Sequence, residues 1–402
     1  MHVRRVLTLC LATILVSAVS PVFAQRNNEN NKKPQQSTRS PQEQQDVQAL
    51  VQVVDTALAA DVGISVTPPA NGAPPAAPPA PKKLAFGAPD RASGDIPIKW
   101  EVNHFVKGQT DTYIPFTLSV DRSSLASGAA LYVRIVTAEQ ADAFASMVAA
   151  MMTPAQGKDK PAAVTRPMFA WDNASFVDIP EGGNLSRAVQ LKPGQYVAFI
   201  AVKEKTAAAA AGNQRNNRND RNQSNANAAS PAGKTGLLRH ELTVPDFTAA
   251  DLTTSSVIVA RAVEPVTTPP TDQEANPYVF GPMRIVPSPD GKFAKSAELS
   301  VIFWIYGAQA AGTGKPDVTI DFNFHQKLAE GEKYFNKTAP QQLNAQTLPP
   351  EFSVAAGHQL PGSLVVPLTS FPAGDYRLEI KVTDKASGKS VTQNVTFTVL
   401  PA

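Results

Sequence analysis

The histidines are the first side chains to test for catalytic or metal-binding chemistry. Beyond His2 they are His104, His240, His325 and His358, and they lie far apart in the sequence. No two of them have the H-E-x-x-H spacing that places two imidazoles on one face of a helix. His240 and His325 occupy alternating positions of predicted strands, as surface or edge-strand residues do. We therefore expect no metal site and no bound cofactor.

Other catalytic patterns are also missing from the sequence. There is no G-x-S-x-G motif, so a serine hydrolase of that type has no nucleophile. The carboxylates are scattered, and only the fold could bring two of them together as a glycosidase pair. We therefore expect no catalytic residues and a protein that is not an enzyme. The alternative is a hydrolase that depends on such a carboxylate pair.

Two short segments resemble ligand-binding loops without satisfying their requirements. Ala228–Thr235 resembles the phosphate-binding pattern G-x-x-x-x-G-K-[ST], but alanine replaces the first glycine and a proline occupies the loop. Asp272–Glu274 is acidic but lacks the D-x-D-x-D-G pattern of a calcium loop. Neither segment supports a binding site.

The N-terminus has the three parts of a secretory signal peptide. Arg4 and Arg5 are followed by the apolar run Val6–Val16, and a small-x-small cleavage pattern ends at Ala24. The sequence predicts a signal peptide over residues 1–24 and export to the periplasm or the extracellular space. No other segment is long and apolar enough to span a membrane, so we expect no transmembrane segment in the mature chain.

Cysteine usage and charge limit what the mature chain can do. Cys10 is the only cysteine, so no disulfide, thiolate metal site or cysteine nucleophile remains after cleavage. Removing Arg4 and Arg5 from the 37 basic residues leaves 35, against 34 acidic ones. A balance this even creates no long-range field for nucleic acid, and we expect no nucleic-acid partner.

The region before the first domain has three predicted parts. Residues 25–40 are polar and predicted to be disordered. Residues 41–62 carry an apolar stripe at helical spacing and predict an amphipathic helix, and residues 63–95 form a proline-rich linker. The helix could fold back onto the first domain or pair with a partner. Its stripe consists of Val47, Leu50, Val51, Val54 and Leu58.

A segment of the sequence occurs twice, 180 residues apart. Leu191–Lys205 aligns with Phe371–Lys385, so that Gly194 and Tyr196 match Gly374 and Tyr376. A glycine turn followed by tyrosine and alternating apolar residues is typical of the tyrosine corner of an immunoglobulin-like sandwich. The repeat therefore predicts two tandem sandwiches, immunoglobulin-like or fibronectin-like, in a mainly β protein.

The first predicted sandwich covers residues 96–245 and has two inserts. Residues 138–152 predict a helix with a Thr137–Gln140 capping box, which we expect to pack over the open end of the sandwich. Its apolar face would contain Phe144, Met147, Val148 and Met151. Residues 207–233 are rich in Ala, Asn and Arg and predict a disordered insert.

The second predicted sandwich covers residues 246–402, and one of its strands is apolar on both sides. In the run Leu299–Tyr306, one set of alternating side chains fills the core, which leaves Ile302, Trp304 and Tyr306 on the opposite side. Large aromatic side chains need cover, either from the first domain or from a partner. These three residues are therefore the candidate interaction face.

The second domain resembles the β-sandwich regions of secreted bacterial proteins, which are often found beside GWxTD or von Willebrand factor A-related domains. The similarity rests on Leu252–Ala260, Pro277–Gly281, Leu299–Tyr306 and Phe371–Tyr376. The GWxTD and D-x-S-x-S motifs of those neighbouring domains are absent. The resemblance implies export and a sandwich fold, without an activity.

These observations together predict an exported, non-enzymatic β-sandwich module. We expect it to interact with a protein or a glycan of the cell envelope or outside the cell. The alternative is a carboxylate-dependent hydrolase acting on envelope polymers, which would require convergent acids in a cleft.

Overall fold

The structure is a computed structural model, and it describes residues 39–64, 81–126, 128–152, 166–206, 233–249, 251–312 and 314–401. The described residues form two compact units. The first domain contains the residues up to Thr248 together with Pro270–Pro277, and the second contains Ala249–Pro269 and the chain from Tyr278. The predicted signal peptide, most of the N-terminal segment that is predicted to be disordered and most of the predicted 207–233 insert lie outside the described residues.

In its described residues, the first domain contains two α-helices and nine strands. The helices are α1 (Pro41–Asp61) and α2 (Ala138–Met152). The strands are β1 (Arg91–Gly94), β2 (Ile98–Asn103), β3 (Val106–Lys107), β4 (Thr112–Val120), β5 (Ala129–Val136), β6 (Trp171–Val177), β7 (Asn184–Leu191), β8 (Gly194–Glu204) and β9 (Thr235–Val244).

These strands form two antiparallel sheets with a core between them. Sheet A has the order β1-β9-β8-β5-β6, and sheet B has the order β2-β4-β3 with β7 paired to β4. The core contains alternating side chains of both sheets, among them Phe116, Leu131 and Ile200. Segment 270–277 belongs with this domain because Tyr113 Oη donates a hydrogen bond to Pro277 O, at 2.8 Å.

Both helices cover the outer face of sheet A, which makes the first domain a three-layer structure. Leu50, Val54 and Leu58 of α1 are completely buried, in one apolar cluster with Phe144 of α2 and Phe199 of β8. The helical stripe of α1 therefore packs on its own domain. Helix α2 lies on the sheet face instead of over the open end of the sandwich, because β8 is apolar on both sides and needs cover there.

Helix α2 begins and ends within the range predicted from the sequence. Its capping box is present: Gln140 N donates to Thr137 Oγ1 at 3.3 Å, and Thr137 N donates to Gln140 Oε1 at 3.0 Å. Phe144 is buried and Met147 is partly buried. Met151 does not join the apolar face, since 62% of it is exposed at the last turn of the helix.

Helix α1 is also attached to sheet A through ion pairs that involve buried basic side chains. Lys203 Nζ donates to Asp46 Oδ1 at 2.6 Å, where both side chains are almost inaccessible. Arg239 Nε donates to Asp61 Oδ2 at 2.6 Å. A third ion pair joins Arg134 of β5, which is fully buried, to Asp55 of α1. The three basic residues thus lie on three neighbouring strands of sheet A. Because a buried charge without a counter-ion is costly, these pairs fix the position of α1.

The second domain consists of twelve strands in two sheets, which confirms the mainly β class predicted from the sequence. Its strands are β10 (Thr253–Thr254), β11 (Ile258–Pro265), β12 (Val279–Phe280), β13 (Met283–Pro287), β14 (Lys292–Phe293), β15 (Glu298–Tyr306), β16 (Val318–Leu328), β17 (Gly331–Lys337), β18 (Gln341–Leu343), β19 (Leu360–Pro367), β20 (Gly374–Asp384) and β21 (Ser390–Val399).

The two sheets of the second domain enclose its core. Sheet C has the order β10-β15-β11-β13-β12 with β19 paired to β15, and sheet D has the order β14-β21-β20-β16-β17 with β18 paired to β16. The core side chains of β15 are those expected from the sequence, including Phe303. They meet Phe322 of β16 and Tyr376 of β20 from sheet D.

The repeated segment forms the same corner in both domains. Gly194 and Gly374 each begin a strand, β8 and β20, with φ angles of 151° and 142° that side chains other than glycine rarely adopt. Tyr196 Oη donates to Lys192 O at 2.9 Å, and Tyr376 Oη donates to Pro372 O at 2.8 Å. Both rings are buried. The predicted tyrosine corners are therefore confirmed.

We expect Tyr376→Phe to lower the free energy of unfolding of the second domain by about 1 kcal/mol. The ring keeps its packing, the hydrogen bond to Pro372 O is lost, and water can reach that carbonyl because Pro372 is exposed. Urea unfolding of the mature chain measures the change. Tyr334→Phe, at an exposed tyrosine of β17, is the control. An equal midpoint for Tyr376→Phe and the unchanged protein would contradict a stabilising corner.

Candidate interaction surface

The candidate face predicted from the sequence is buried. Ile302, Trp304 and Tyr306 are only 6%, 8% and 6% exposed. Within the second domain, the ring of Phe280 packs on Trp304 with centroids 4.7 Å apart, and Tyr306 pairs with Thr253 of β10. The sequence correctly indicated that these side chains need cover, but they do not form an open surface for a ligand.

The structure does not bring the histidines together. His104 is buried, and burial lowers its pKa to about 4, so it stays neutral at pH 7. His240 stacks on Trp100 and its Nδ1 lies 2.7 Å from Asp90 Oδ1. Burial lowers the pKa of His240, although Asp90 acts in the opposite direction. Within the described ranges, no group of three or more His, Cys, Asp or Glu side chains is placed to hold a metal ion.

The pKa values of the carboxyl groups bear on the hydrolase alternative. A hydrolase with a carboxylate pair needs one acid whose pKa is raised towards neutrality. Among the described carboxyl groups, every displaced pKa is lowered, by hydrogen bonds or by basic neighbours. These groups are Glu43, Asp46, Asp121, Glu139, Glu241, Asp246, Asp251 and Asp290.

An open groove of about 510 Å³ lies at one end of the first domain, next to β2 and the end of β4. Its lining includes Lys99, Asp121 and Glu181. Asp121 accepts hydrogen bonds from the backbone N and the Oγ of Ser123, and these bonds lower its pKa. Its carboxylate therefore stabilises the loop that follows β4.

The outer face of sheet D is an open surface among the residues that the structure describes. In β20, Tyr376, Leu378, Ile380 and Val382 point into the core, so the residues between them point outward. The pairing registers of β16, β17 and β21 place the outward side chains of those strands beside the outward side chains of β20. All of these outward side chains are exposed or partly exposed. We call this set the polar face: Thr319, Asp321, Asn323, His325, Lys327, Glu332, Tyr334, Lys337, Asp375, Arg377, Glu379, Lys381, Thr383, Ser390, Thr392, Asn394, Thr396 and Thr398.

The other three described sheets carry buried side chains on their outer faces. Helices α1 and α2 cover sheet A, where Phe199 is buried. Sheet B has Tyr113 and Thr117 buried on its outer side, and sheet C has Trp304. Only the polar face of sheet D therefore presents an uninterrupted set of accessible side chains in the described structure.

Arg377 lies in the middle of the polar face and is held in place by its neighbours. Its Nε donates to Glu332 Oε2 at 2.9 Å, and its Nη1 donates to Asn394 Oδ1 at 2.6 Å and to Glu379 Oε2 at 3.3 Å. Burial opposes the charge of Arg377, but the hydrogen bonds to Glu332 and Glu379 outweigh it and raise its pKa. The guanidinium is therefore charged and fixed across three strands.

His325 and Tyr334 lie in the same row of the polar face as Arg377. His325 pairs with Arg377 on one side and with Tyr334 on the other. The two rings meet edge to face, with centroids 5.9 Å apart. Tyr334 is 52% exposed, while the Nε2 of His325 is buried and has no hydrogen-bond partner in the described part of the chain. Such an atom is uncommon in folded proteins and requires an explanation.

Charges on the polar face are balanced. The basic side chains Lys327, Lys337, Arg377 and Lys381 are matched in number by the acidic ones. The acidic set is Asp321, Glu332, Asp375 and Glu379. Apart from the ring of Tyr334, the remaining members are hydroxyl, amide and imidazole side chains. The surface is therefore rich in hydrogen-bonding groups and has no net charge.

Sequence patterns did not single out the polar face, although they did contain its strands. In β20, Arg377, Glu379 and Lys381 alternate with the apolar residues and point outward. The same alternation is typical of any solvated sheet, so it carries no signal for a site. The bulge between Phe324 and His325, which sets Tyr334 beside His325, cannot be seen in the sequence.

Comparisons with known proteins do not place the chain in a family. No family model matches it, and no curated protein matches it. Among solved structures, trypsin-activated alpha-2-macroglobulin from Escherichia coli aligns at 10% identity over 76% of this chain and 17% of that chain, with a TM-score of 0.21. A mutant alpha-2-macroglobulin from Salmonella aligns at 10% identity over 76% and 16%, with a TM-score of 0.17. TM-scores this low carry no argument about fold or function, and the chain spans less than a fifth of either protein.

The fold itself defines the class of protein. It is a two-domain, mainly β protein of antiparallel sandwiches, and the first sandwich carries an additional helical layer. In the described residues, neither helix is long and apolar enough to cross a membrane.

Proposed function

We propose that this protein is an exported, non-enzymatic β-sandwich module that binds a polymer of the cell envelope or the extracellular space, a protein or a polysaccharide. The observation that carries the proposal is the polar face, which stays accessible while the outer faces of the other sheets carry buried side chains. Export to the periplasm or beyond is supported by the signal-peptide pattern of residues 1–24 and by the resemblance to secreted sandwich proteins.

The arrangement of the acidic groups favours binding over hydrolysis. Glu332 and Glu379 both accept hydrogen bonds from Arg377. A hydrolase pair flanks its substrate with two carboxyl groups, whereas these two share one guanidinium of the same face. The carboxylate-dependent hydrolase remains the competing hypothesis.

We expect the mature chain to be retained by an envelope fraction of its own cells, and the double variant Tyr334→Ala/Arg377→Ala to lose most of that retention. Both substitutions remove accessible groups of the polar face. Val365→Ala is the matched control, because Val365 is an exposed residue of β19 in sheet C. Co-sedimentation measures retention, and thermal unfolding checks that each variant is folded.

Two results would contradict the proposal. Undiminished retention of a folded double variant would exclude the polar face as the binding surface. Release of reducing sugar ends or peptides from the same fraction, lost when Glu332 or Glu379 is replaced by glutamine, would instead support the hydrolase.

A further inference from the structure

We infer that the ligand of the polar face is a neutral polysaccharide, with the ring of Tyr334 as the platform for one sugar ring and with Arg377 and His325 beside it. This inference rests on the proposed function and makes its ligand specific. It concerns the row of side chains in which Tyr334, His325 and Arg377 occupy neighbouring strands.

The charge of the face argues for a neutral ligand. A surface that binds nucleic acid or an acidic polysaccharide collects basic side chains that neutralise the anionic groups. On the polar face the acidic residues equal the basic ones in number, and Arg377 is already paired with Glu332 and Glu379. A polyanion would have to approach these carboxylates, which repel it.

The composition of the face argues against a protein ligand. Protein interfaces are anchored by a central apolar or aromatic cluster that becomes fully desolvated. The centre of the polar face instead contains Arg377, Glu379, Asn323 and Asn394, which are connected by hydrogen bonds. A flat protein surface would remove water from the charged groups of this centre. The free-energy cost of that desolvation would exceed the gain from the new contacts.

The groups that are present match the chemistry of a sugar ring. Sugar hydroxyls both donate and accept hydrogen bonds. The row supplies the guanidinium of Arg377, and the carboxylates and the amide bonded to that guanidinium lie beside the row. A sugar ring also has an apolar face of C–H groups, for which the exposed ring of Tyr334 is a suitable partner. The row crosses three strands and spans roughly 10 Å at the usual strand spacing, a length comparable with two linked sugar rings.

The row is also prepared for binding before a ligand arrives. Arg377 is fixed by bonds from two of its nitrogen atoms, so little side-chain entropy is lost when it binds. The unpaired Nε2 belongs to the imidazole of His325, which meets the exposed Tyr334 ring edge to face. A ligand hydroxyl that shifts this ring slightly would give that nitrogen the partner it lacks.

The first test is native gel electrophoresis of the mature chain in gels that contain one polysaccharide each. The neutral probes are galactomannan, mixed-linkage β-glucan and amylopectin, and the acidic probes are alginate and hyaluronan. We expect retardation by at least one neutral probe and by neither acidic probe. Tyr334→Ala should weaken that binding about tenfold or more, whereas Val365→Ala should leave it unchanged. Retardation by no neutral probe, or equal retardation of folded Tyr334→Ala, would overturn the inference.

The second test separates this inference from the proposed function. The envelope fraction is treated either with protease or with periodate, which breaks the carbon–carbon bond between neighbouring sugar hydroxyls. We expect retention of the mature chain to survive protease and to disappear after periodate. Retention that depends on Tyr334 and Arg377 but disappears after protease would overturn the polysaccharide ligand and leave the binding function standing. Retention that does not depend on these residues would remove both.

Discussion

Replacing Asp46 by alanine should lower the free energy of unfolding of the first domain by about 3–5 kcal/mol, because it leaves Lys203 charged and buried without its counter-ion. Lys203 Nζ lies 2.6 Å from Asp46 Oδ1, and both side chains are shielded from water. Asp46 also accepts hydrogen bonds from the backbone N and the Oγ1 of Thr206, at 3.1 and 2.8 Å. One substitution thus removes the carboxylate that these three hydrogen bonds share. Urea unfolding of the mature chain measures the loss.

Two matched variants show whether the ion pair is responsible. Gln48→Ala, at an exposed position of the same helix, should change the free energy of unfolding by no more than about 0.5 kcal/mol. The double variant Asp46→Leu/Lys203→Met removes both charges together and should be clearly more stable than Asp46→Ala. A double variant as unstable as Asp46→Ala would show that the cost comes from packing or from Thr206.

Acid unfolding provides a second readout of the same pair. Burial alone would raise the pKa of Asp46, but the hydrogen bonds from Lys203 and Thr206 outweigh it and lower that pKa below its usual value. A depressed pKa in the folded state contributes stability above the unfolded-state pKa, which is about 3.9 for aspartate, and that stability is lost as the pH falls through the folded-state pKa. The difference in stability between the unchanged protein and Asp46→Ala should therefore shrink below about pH 4.

The sequence predicted the two corners and the inward side chains well, because both depend on local pattern. Gly374 and Tyr376 are followed by strict alternation, and alternation determines which side of a strand is buried. The helical layer on sheet A was harder to predict. The run Val197–Val202 is apolar on both sides, which indicates cover but does not say what provides it. The basic residue Arg134 alternates with apolar residues in β5, which is typical of an exposed position, yet the structure buries it completely under the helices.

The sequence singled out Ile302, Trp304 and Tyr306 of β15, which are buried, whereas the proposed binding surface lies on sheet D. Trp304 attracted attention because a large aromatic side chain must be covered, and the structure covers it with Phe280 of the same domain. The polar face gave no such signal, since Arg377 and Tyr334 are ordinary residues for a solvated strand. What distinguishes them is their position beside His325, and the bulge in β16–β17 pairing determines that position.

Replacing Trp304 by alanine should lower the free energy of unfolding of the second domain by about 3–5 kcal/mol. The indole is only 8% exposed, and its ring packs on Phe280. On the opposite side of the same strand, β15, Phe303 packs in the core between the two sheets. A cavity on the Trp304 side therefore also weakens the strand that holds Phe303 in the core. The measurements are urea unfolding of the mature chain and hydrogen exchange of the β15 and β19 backbone amides.

Tyr334→Ala is the matched control for this prediction, because it also removes an aromatic ring from a strand of the second domain. Tyr334 is 52% exposed, so its loss should change the free energy of unfolding by about 0.5 kcal/mol or less. Each variant should therefore affect a different assay. Trp304→Ala should lower the free energy of unfolding, and Tyr334→Ala should lower binding to the envelope fraction. If Trp304→Ala leaves stability unchanged and abolishes retention, the face that carries Ile302, Trp304 and Tyr306 is the binding surface after all. The polar face would then be only a solvated side of the sheet.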